Sequence, residues 1–189
     1  MYINSLPIRI RNGHKFPIPL EHESYYHRHQ PVEFSFKLKN TSMTNSATGM
    51  IFLTDKRFIF IAYEPGELES FYFMLADIVS SVASKCLFSN VFNHNTLSLD
   101  ISLKDKKSFT MSITYDYEDI EQKGIFMDYY GMLLSWATKN KPDKIPGRPL
   151  SINTLTKFMS DDDKQDSPYY SSWSTDPELR GGEKPPAYS

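Results

Sequence analysis

The chain has a single cysteine, Cys86, so no internal disulfide can form, and a reducing compartment, cytosol or nucleus, is expected. No apolar run is long enough to cross a bilayer, so no membrane span is expected. Met1 to Arg11 has no long apolar stretch behind a basic region, and no secretory leader is expected. An excess of charge of one sign is also missing. The formal net charge is -2, which argues neither for sequence-specific nucleic-acid binding nor for a solvating acidic chain. There is no His-Glu-x-x-His, no glycine-rich phosphate loop and no Ser/His/Asp arrangement, and Cys86 has no histidine signature beside it. The chain is therefore read as non-enzymatic, with no cofactor and no metal.

What is present is enough for one packed domain. Apolar residues make up 40% and aromatic residues 14% of 189 positions, which supports a core burying roughly two-thirds of the unfolded surface. Composition changes near Lys141. Seven of the twelve prolines lie from Pro142 onward, with Asp161-Asp162-Asp163, Gly181-Gly182 and several serines. Such a segment buries too little to offset its ordering entropy, so residues 142–189 are expected to be a disordered tail. Residues 1–29 are read as an N-terminal extension and 30–141 as the domain.

Within the domain, the main signal is alternation with period two. Val32, Phe34, Phe36 and Leu38 alternate with Glu33, Ser35, Lys37 and Lys39. Leu97, Leu99, Ile101 and Leu103 alternate with Ser98, Asp100, Ser102 and Lys104. Phe109, Met111 and Ile113 alternate with Ser108, Thr110, Ser112 and Thr114. Successive strand side chains point to opposite faces, so these are half-buried antiparallel strands. Asp105-Lys106-Lys107 joins the last two as a tight hairpin. Met50 to Leu53 and Phe58 to Tyr63 are instead apolar on both faces. Thr54-Asp55-Lys56-Arg57 turns the chain between them, Glu64-Pro65-Gly66-Glu67 makes the next turn, and Glu69 to Leu75 reads as a third strand. Leu87 to Phe92 reads as another short strand.

After Tyr117 the period lengthens. Phe126, Tyr129, Tyr130, Leu133 and Ala137 share one helical stripe, most simply core, with Leu134 and Trp136 beside it. Asp119 and Gln122 mark a start, and Pro142 forbids continuation. About seven strands followed by one helix give a mainly β, α+β fold, and a bent barrel plugged by the helix is one of several that fit.

Gly49-Met50-Ile51-Phe52-Leu53-Thr54-Asp55-Lys56-Arg57-Phe58-Ile59-Phe60 resembles the core signature of GRAM domains. Val32-Glu33-Phe34-Ser35-Phe36, Ser70-Phe71-Tyr72-Phe73-Met74 and Leu87-Phe88-Ser89-Asn90 look like flanking segments of one GRAM group, the WW-domain-binding protein 2 family. Pro185-Pro186-Ala187-Tyr188 matches the PPxY motif of that family's tails. The resemblance covers roughly residues 30 to 140 plus this motif. It departs in having a short tail with one PPxY, and Pro17-Ile18-Pro19 matches nothing in the family. The resemblance implies a pleckstrin-homology-type, seven-stranded bent barrel capped by one C-terminal helix. It also implies a binding activity, with WW-domain proteins as partners, among them HECT-type ubiquitin ligases and transcription regulators. Transcription coactivation and ubiquitin-ligase recruitment are the competing uses.

Two further clusters bear on function. Lys37, Lys39, Lys56, Arg57, Lys104, Lys106 and Lys107 suggest a basic rim, and such rims on pleckstrin-homology-type domains meet phosphoinositide headgroups. A membrane-surface module is therefore the alternative to the adaptor. His22, His27 and His29 with Glu21 and Glu23 lack the tighter spacing of zinc ligands, and they are read as an exposed loop.

Overall fold

The computed structural model describes residues 1–11, 13–83 and 95–138. Ten strands and one helix follow in order: β1 (Tyr2–Ile3), β2 (Ile8–Arg11), β3 (His14–Pro17), β4 (Tyr25–Leu38), β5 (Thr44–Thr54), β6 (Arg57–Ala62), β7 (Ser70–Met74), β8 (Ile78–Ala83), β9 (Thr96–Leu103), β10 (Ser108–Tyr115) and α1 (Ile120–Thr138). The run from β4 to α1 has the expected architecture, antiparallel strands followed by a C-terminal helix, with β8 an additional strand that the sequence reading did not name. The expected strand at 87–92 and the expected tail lie outside the described residues.

Eight strands form one sheet in the order β1-β7-β6-β5-β4-β10-β9-β8, and β2 and β3 form a separate hairpin. Every pairing is antiparallel. β4 spans 14 residues and joins both halves of the sheet. Its register against β5 shifts between Tyr25 and His27 and again between His29 and Val32, so the strand bends and the sheet curls.

The curl closes around phenylalanine. Phe34, Phe36, Phe58, Phe60, Phe71, Phe73, Phe109 and Phe126 are all buried. Phe34 stacks on Phe60 at 4.5 Å, and Phe126 meets Phe58 edge-on at 6.0 Å. Each such ring contributes about 1.5–3 kcal/mol through burial alone. The helix supplies Phe126, Tyr130 and Leu133 as a buried plug, with Tyr129 and Ala137 packed partly against the core. All five stripe positions thus fall on the inward face, spread over about three helical turns.

A second core lies on the other side of the sheet. Met50, Phe52, Ile59 and Ile61 point away from the phenylalanine cluster and are covered by Leu6, Phe16 and Tyr25. This explains why β5 and β6 are apolar on both faces: the first 25 residues supply the outer layer. That segment is tied down along its length. The Asn4 side chain accepts from the Glu69 and Ser70 amides at 2.8 and 3.0 Å and donates to the Glu67 carbonyl. Lys15 Nζ donates to the carbonyls of Ala62 and Tyr63 at 2.9 and 2.8 Å. β4 itself starts at Tyr25, within the stretch read as an extension. Gly49 marks a close approach of β5 to β6, where an added Cβ would sit 2.1 Å from the Ile61 carbonyl oxygen.

Candidate functional site

Strand pairing determines which of the basic residues meet. Leu38 pairs with Phe109 and Lys37 with Thr110, and the Lys39 amide donates to the Ser108 carbonyl at 3.0 Å. The β9–β10 turn therefore lies beside the end of β4. Lys37, Lys39, Lys104, Lys106 and Lys107 are all exposed and gathered at this one end. The turn is tight: Lys106 has a φ of 65°, and the Asp105 carboxylate accepts from the Lys107 amide at 3.1 Å. Asp105 also pairs with the Lys107 ammonium at 3.1 Å, and these bonds hold the Asp105 carboxyl below its ordinary pKa. Met43, at 67% exposure in the β4–β5 loop, is an apolar tip at the same end.

Lys56 and Arg57 do not belong to this end. They occupy the β5–β6 hairpin, where Thr54 pairs with Tyr25 at the opposite end of β4. Lys56 is half-buried and donates to the Glu21 carbonyl. Arg57 is 1% exposed, which removes it from any surface rim. Its Nε and Nη2 grip the two carboxylate oxygens of Glu23 at 2.8 and 2.9 Å, and Nη2 also reaches the Ile18 carbonyl at 2.7 Å. Thr54 Oγ1 donates to Glu23 Oε1 at 2.8 Å and accepts from the Lys56 and Arg57 amides at 3.1 and 2.8 Å. Glu23 Oε2 takes a further bond from the Leu20 amide at 2.8 Å. The guanidinium lies over the Tyr72 ring at 5.5 Å. The Thr-x-x-Arg turn is thus a clasp for the N-terminal segment. A buried pair is costly to desolvate, and only this full set of hydrogen bonds offsets that cost.

The histidine reading needs correction as well. Glu21 and His22 are exposed, but Glu23, His27 and His29 are buried. β4 begins upstream of Val32, and its inward alternation carries His27 and His29 toward the helix. His27 packs edge-on to Phe126 at 5.6 Å, and burial, with a smaller push from His29, lowers its pKa to about 4. His29 Nε2 lies 3.6 Å from Asp119 Oδ2, yet burial still lowers its pKa. No metal-binding group of three or more His, Cys, Asp or Glu exists among the described residues. Pro185, Pro186 and Tyr188 lie outside the described residues.

A groove of about 420 Å³, absent from the sequence reading, crosses the outer face of β4, β5 and β10. Glu33, Ser35, Thr44, Ser46, Thr48 and Thr114 line it. Its only sequence signal was the polar half of the β4 and β10 alternation.

No protein-family profile matches the chain, and no curated protein matches it in sequence. Among solved structures, the chain is similar to the Vps36 N-terminal PH domain, with 20% identity, a TM-score of 0.46, and coverage of 63% of this chain and 84% of that one. It is also similar to the pleckstrin-homology domain of USP37, at 16% identity and TM-score 0.31, covering 57% of this chain and 94% of that one. A PDZ-RhoGEF DH/PH structure in complex with RhoA matches at 9% identity and TM-score 0.40, over 61% of this chain and 31% of the other.

Proposed function

We propose that the protein is a non-catalytic adaptor, with a pleckstrin-homology-like domain that binds one target and a tail that recruits a WW domain. One observation carries this reading, the Pro185-Pro186-Ala187-Tyr188 motif behind such a domain. Proline presets polyproline II geometry, so Pro185 and Pro186 would enter an aromatic-lined groove with little ordering cost, and Tyr188 would enter a second pocket. A single short peptide of this kind binds at about micromolar affinity or weaker, so the folded domain would add avidity through its own target. Cytosol and nucleus are the compartments where the partners, HECT-type ubiquitin ligases or WW-bearing transcription regulators, would be met.

The test is titration of the full chain against isolated WW domains by fluorescence anisotropy. Tyr188→Ala and Pro186→Ala should each weaken binding at least roughly tenfold, in line with loss of a buried anchor residue. Unchanged affinity in both variants would overturn the adaptor reading.

A second reading, binding to a phosphoinositide surface, is favoured by the lysines gathered beside Met43. Point charges at the β4 and β9–β10 ends would meet phosphate while the methionine enters the lipid boundary. Sedimentation with phosphatidylinositol-bisphosphate vesicles discriminates between the two. Binding that disappears in a Lys39→Glu/Lys106→Glu variant supports this reading, and no enrichment over phosphatidylcholine leaves protein partners only.

A further inference from the structure

The lysines at one end of β10 have a counterpart at the other. Glu33 pairs with Thr114, and the chain then runs into exposed Asp116 and Glu118 before the helix, with exposed Glu121 in its first turn. β10 spans eight residues, so the acidic and basic ends are roughly 25 Å apart. The groove runs between them: Glu33, Thr48 and Thr114 lie toward the acidic end, and Thr44, paired with Lys37, lies toward the basic end.

Among the described residues, Glu33 carries the only charge in its lining. No lysine, arginine or histidine among the described residues forms an ion pair with it. Its polar neighbours along the groove are hydroxyls, with Phe34 and Ala47 completing the lining. Ser46 pairs with Ser35 and Thr48 with Glu33 across β4 and β5, and Thr114 sits opposite Glu33 on β10. A hydroxyl offers two lone pairs, and an ionised carboxylate only accepts. An exposed carboxylate ringed by hydroxyl oxygens, with no cation of its own, is a receptor for N–H donors.

We propose that this groove docks an extended basic segment of a partner polypeptide, with a lysine or arginine side chain seated on Glu33. The acidic start of the helix lies alongside and would attract further basic residues of the same segment. The proposal is independent of the WW-domain reading, since it does not use the tail motif. It gives the folded domain a protein target of defined charge.

The test follows amide chemical shifts of the full chain during titration with hexa-arginine. Binding at a single carboxylate groove should have a dissociation constant on the order of 0.1–1 mM. The largest shifts should fall at Ser35, Ser46, Thr48 and Thr114. Glu33→Gln, an exposed isosteric change, should weaken binding at least about fivefold, as expected for removal of a charged hydrogen-bond acceptor. Glu118→Gln, outside the groove, should change it less than about twofold. Shifts confined to residues 116–121, or equal losses in the two variants, would overturn the proposal. The chain's own Lys139, Lys141, Lys144 and Arg148 are the competing occupant. If hexa-arginine moves the groove amides only after all four are changed to glutamine, the occupant is this segment and the partner reading fails.

Discussion

The two halves of the sheet share an interior but have opposite exteriors. From Met50 onward β5, together with β6, is apolar outside as well as inside, and the N-terminal segment covers this outer face with a second core that Tyr72 of β7 joins. β9 and β10 alternate strictly, so their outer face is a carpet of hydroxyls open to solvent. Thr96 meets Thr114 at 3.1 Å, Ser98 meets Ser112 at 2.8 Å and Ser102 meets Ser108 at 3.0 Å. A two-sided half must hold its cover in place, while a one-sided half is free to present a surface. Stability should therefore concentrate on the first half, and recognition on the second.

The largest effect should come from breaking the clasp. Arg57→Leu leaves Glu23 buried, charged and stripped of two of its partners, and breaking such pairs costs about 3–5 kcal/mol. Urea unfolding should show this loss as a lower midpoint at unchanged slope. The double variant Glu23→Leu/Arg57→Leu should recover part of it, because the uncompensated charge is gone. A single-variant loss below about 1 kcal/mol would mean the outer layer is not pinned there.

Next comes the outer core itself. Phe52 is fully buried, with Tyr25 edge-on at 6.0 Å and the Arg28 guanidinium over its ring at 5.9 Å. Phe52→Ala should cost about 3–4 kcal/mol by the same measurement, as for a barrel-facing phenylalanine. A much smaller cost would show that the N-terminal segment is a loose cover, with the barrel carrying the fold alone.

These expectations show how far the sequence could be read. β4 from Val32 onward, β9, β10 and the helix follow from periodicity, because each has one face in the barrel and one in solvent, whereas β8 carries no such alternation and is not legible as a strand. The doubled apolarity of Met50–Leu53 and Phe58–Tyr63 announces a second covering layer without naming it. That layer comes from short, irregular pieces, such as Leu6 and Phe16, which carry no period of their own. Arg57 and Lys56 look like surface charge next to a turn. Only the position of Glu23, brought close by the path of the chain, makes one of them internal. The lysine end was legible in part: the β9–β10 turn gathers Lys104, Lys106 and Lys107, but only the long-range pairing of β10 with β4 brings Lys37 and Lys39 beside them. The groove was not, because six small polar residues on three strands become a site only through pairing.

A pH titration sharpens the comparison further, since the two-sided half buries titratable groups whose responses to acid oppose one another. His27 titrates near 6.5 unfolded and near 4 folded, so it disfavours the fold as pH falls from about 6.5 to 4. The full loss is about 3 kcal/mol. His29, also lowered by burial, acts in the same direction. Asp55 opposes them. Burial in the β5–β6 turn raises its pKa from 3.8 to about 6, so its protonation stabilises the fold as pH falls through that range. The wild type should therefore change little between pH 6 and 4. Asp55→Asn, which keeps an oxygen for the Ser24 amide, should expose the histidine slope, and adding His27→Gln should flatten it again. An acid-insensitive Asp55→Asn variant would contradict the buried, neutral state of His27.

The smallest effect belongs to the hydroxyl face. Ser98 and Ser112 bond each other across β9 and β10, half-exposed, and water replaces either partner at little cost. The double change Ser98→Ala/Ser112→Ala should cost under about 1 kcal/mol in urea unfolding. Its contrast with Phe52→Ala is the direct measure of the two halves, because both changes sit on outward-facing strand positions of one sheet. If the serine pair cost as much as the phenylalanine, the open face would be structural, and its hydroxyl carpet would need no partner to account for it. A near-neutral result leaves residues that the fold does not require on an exposed sheet surface next to Glu33. That is the circumstance in which recognition, rather than stability, explains why four strands align Ser46, Ser35, Ser112 and Ser98 in a single row.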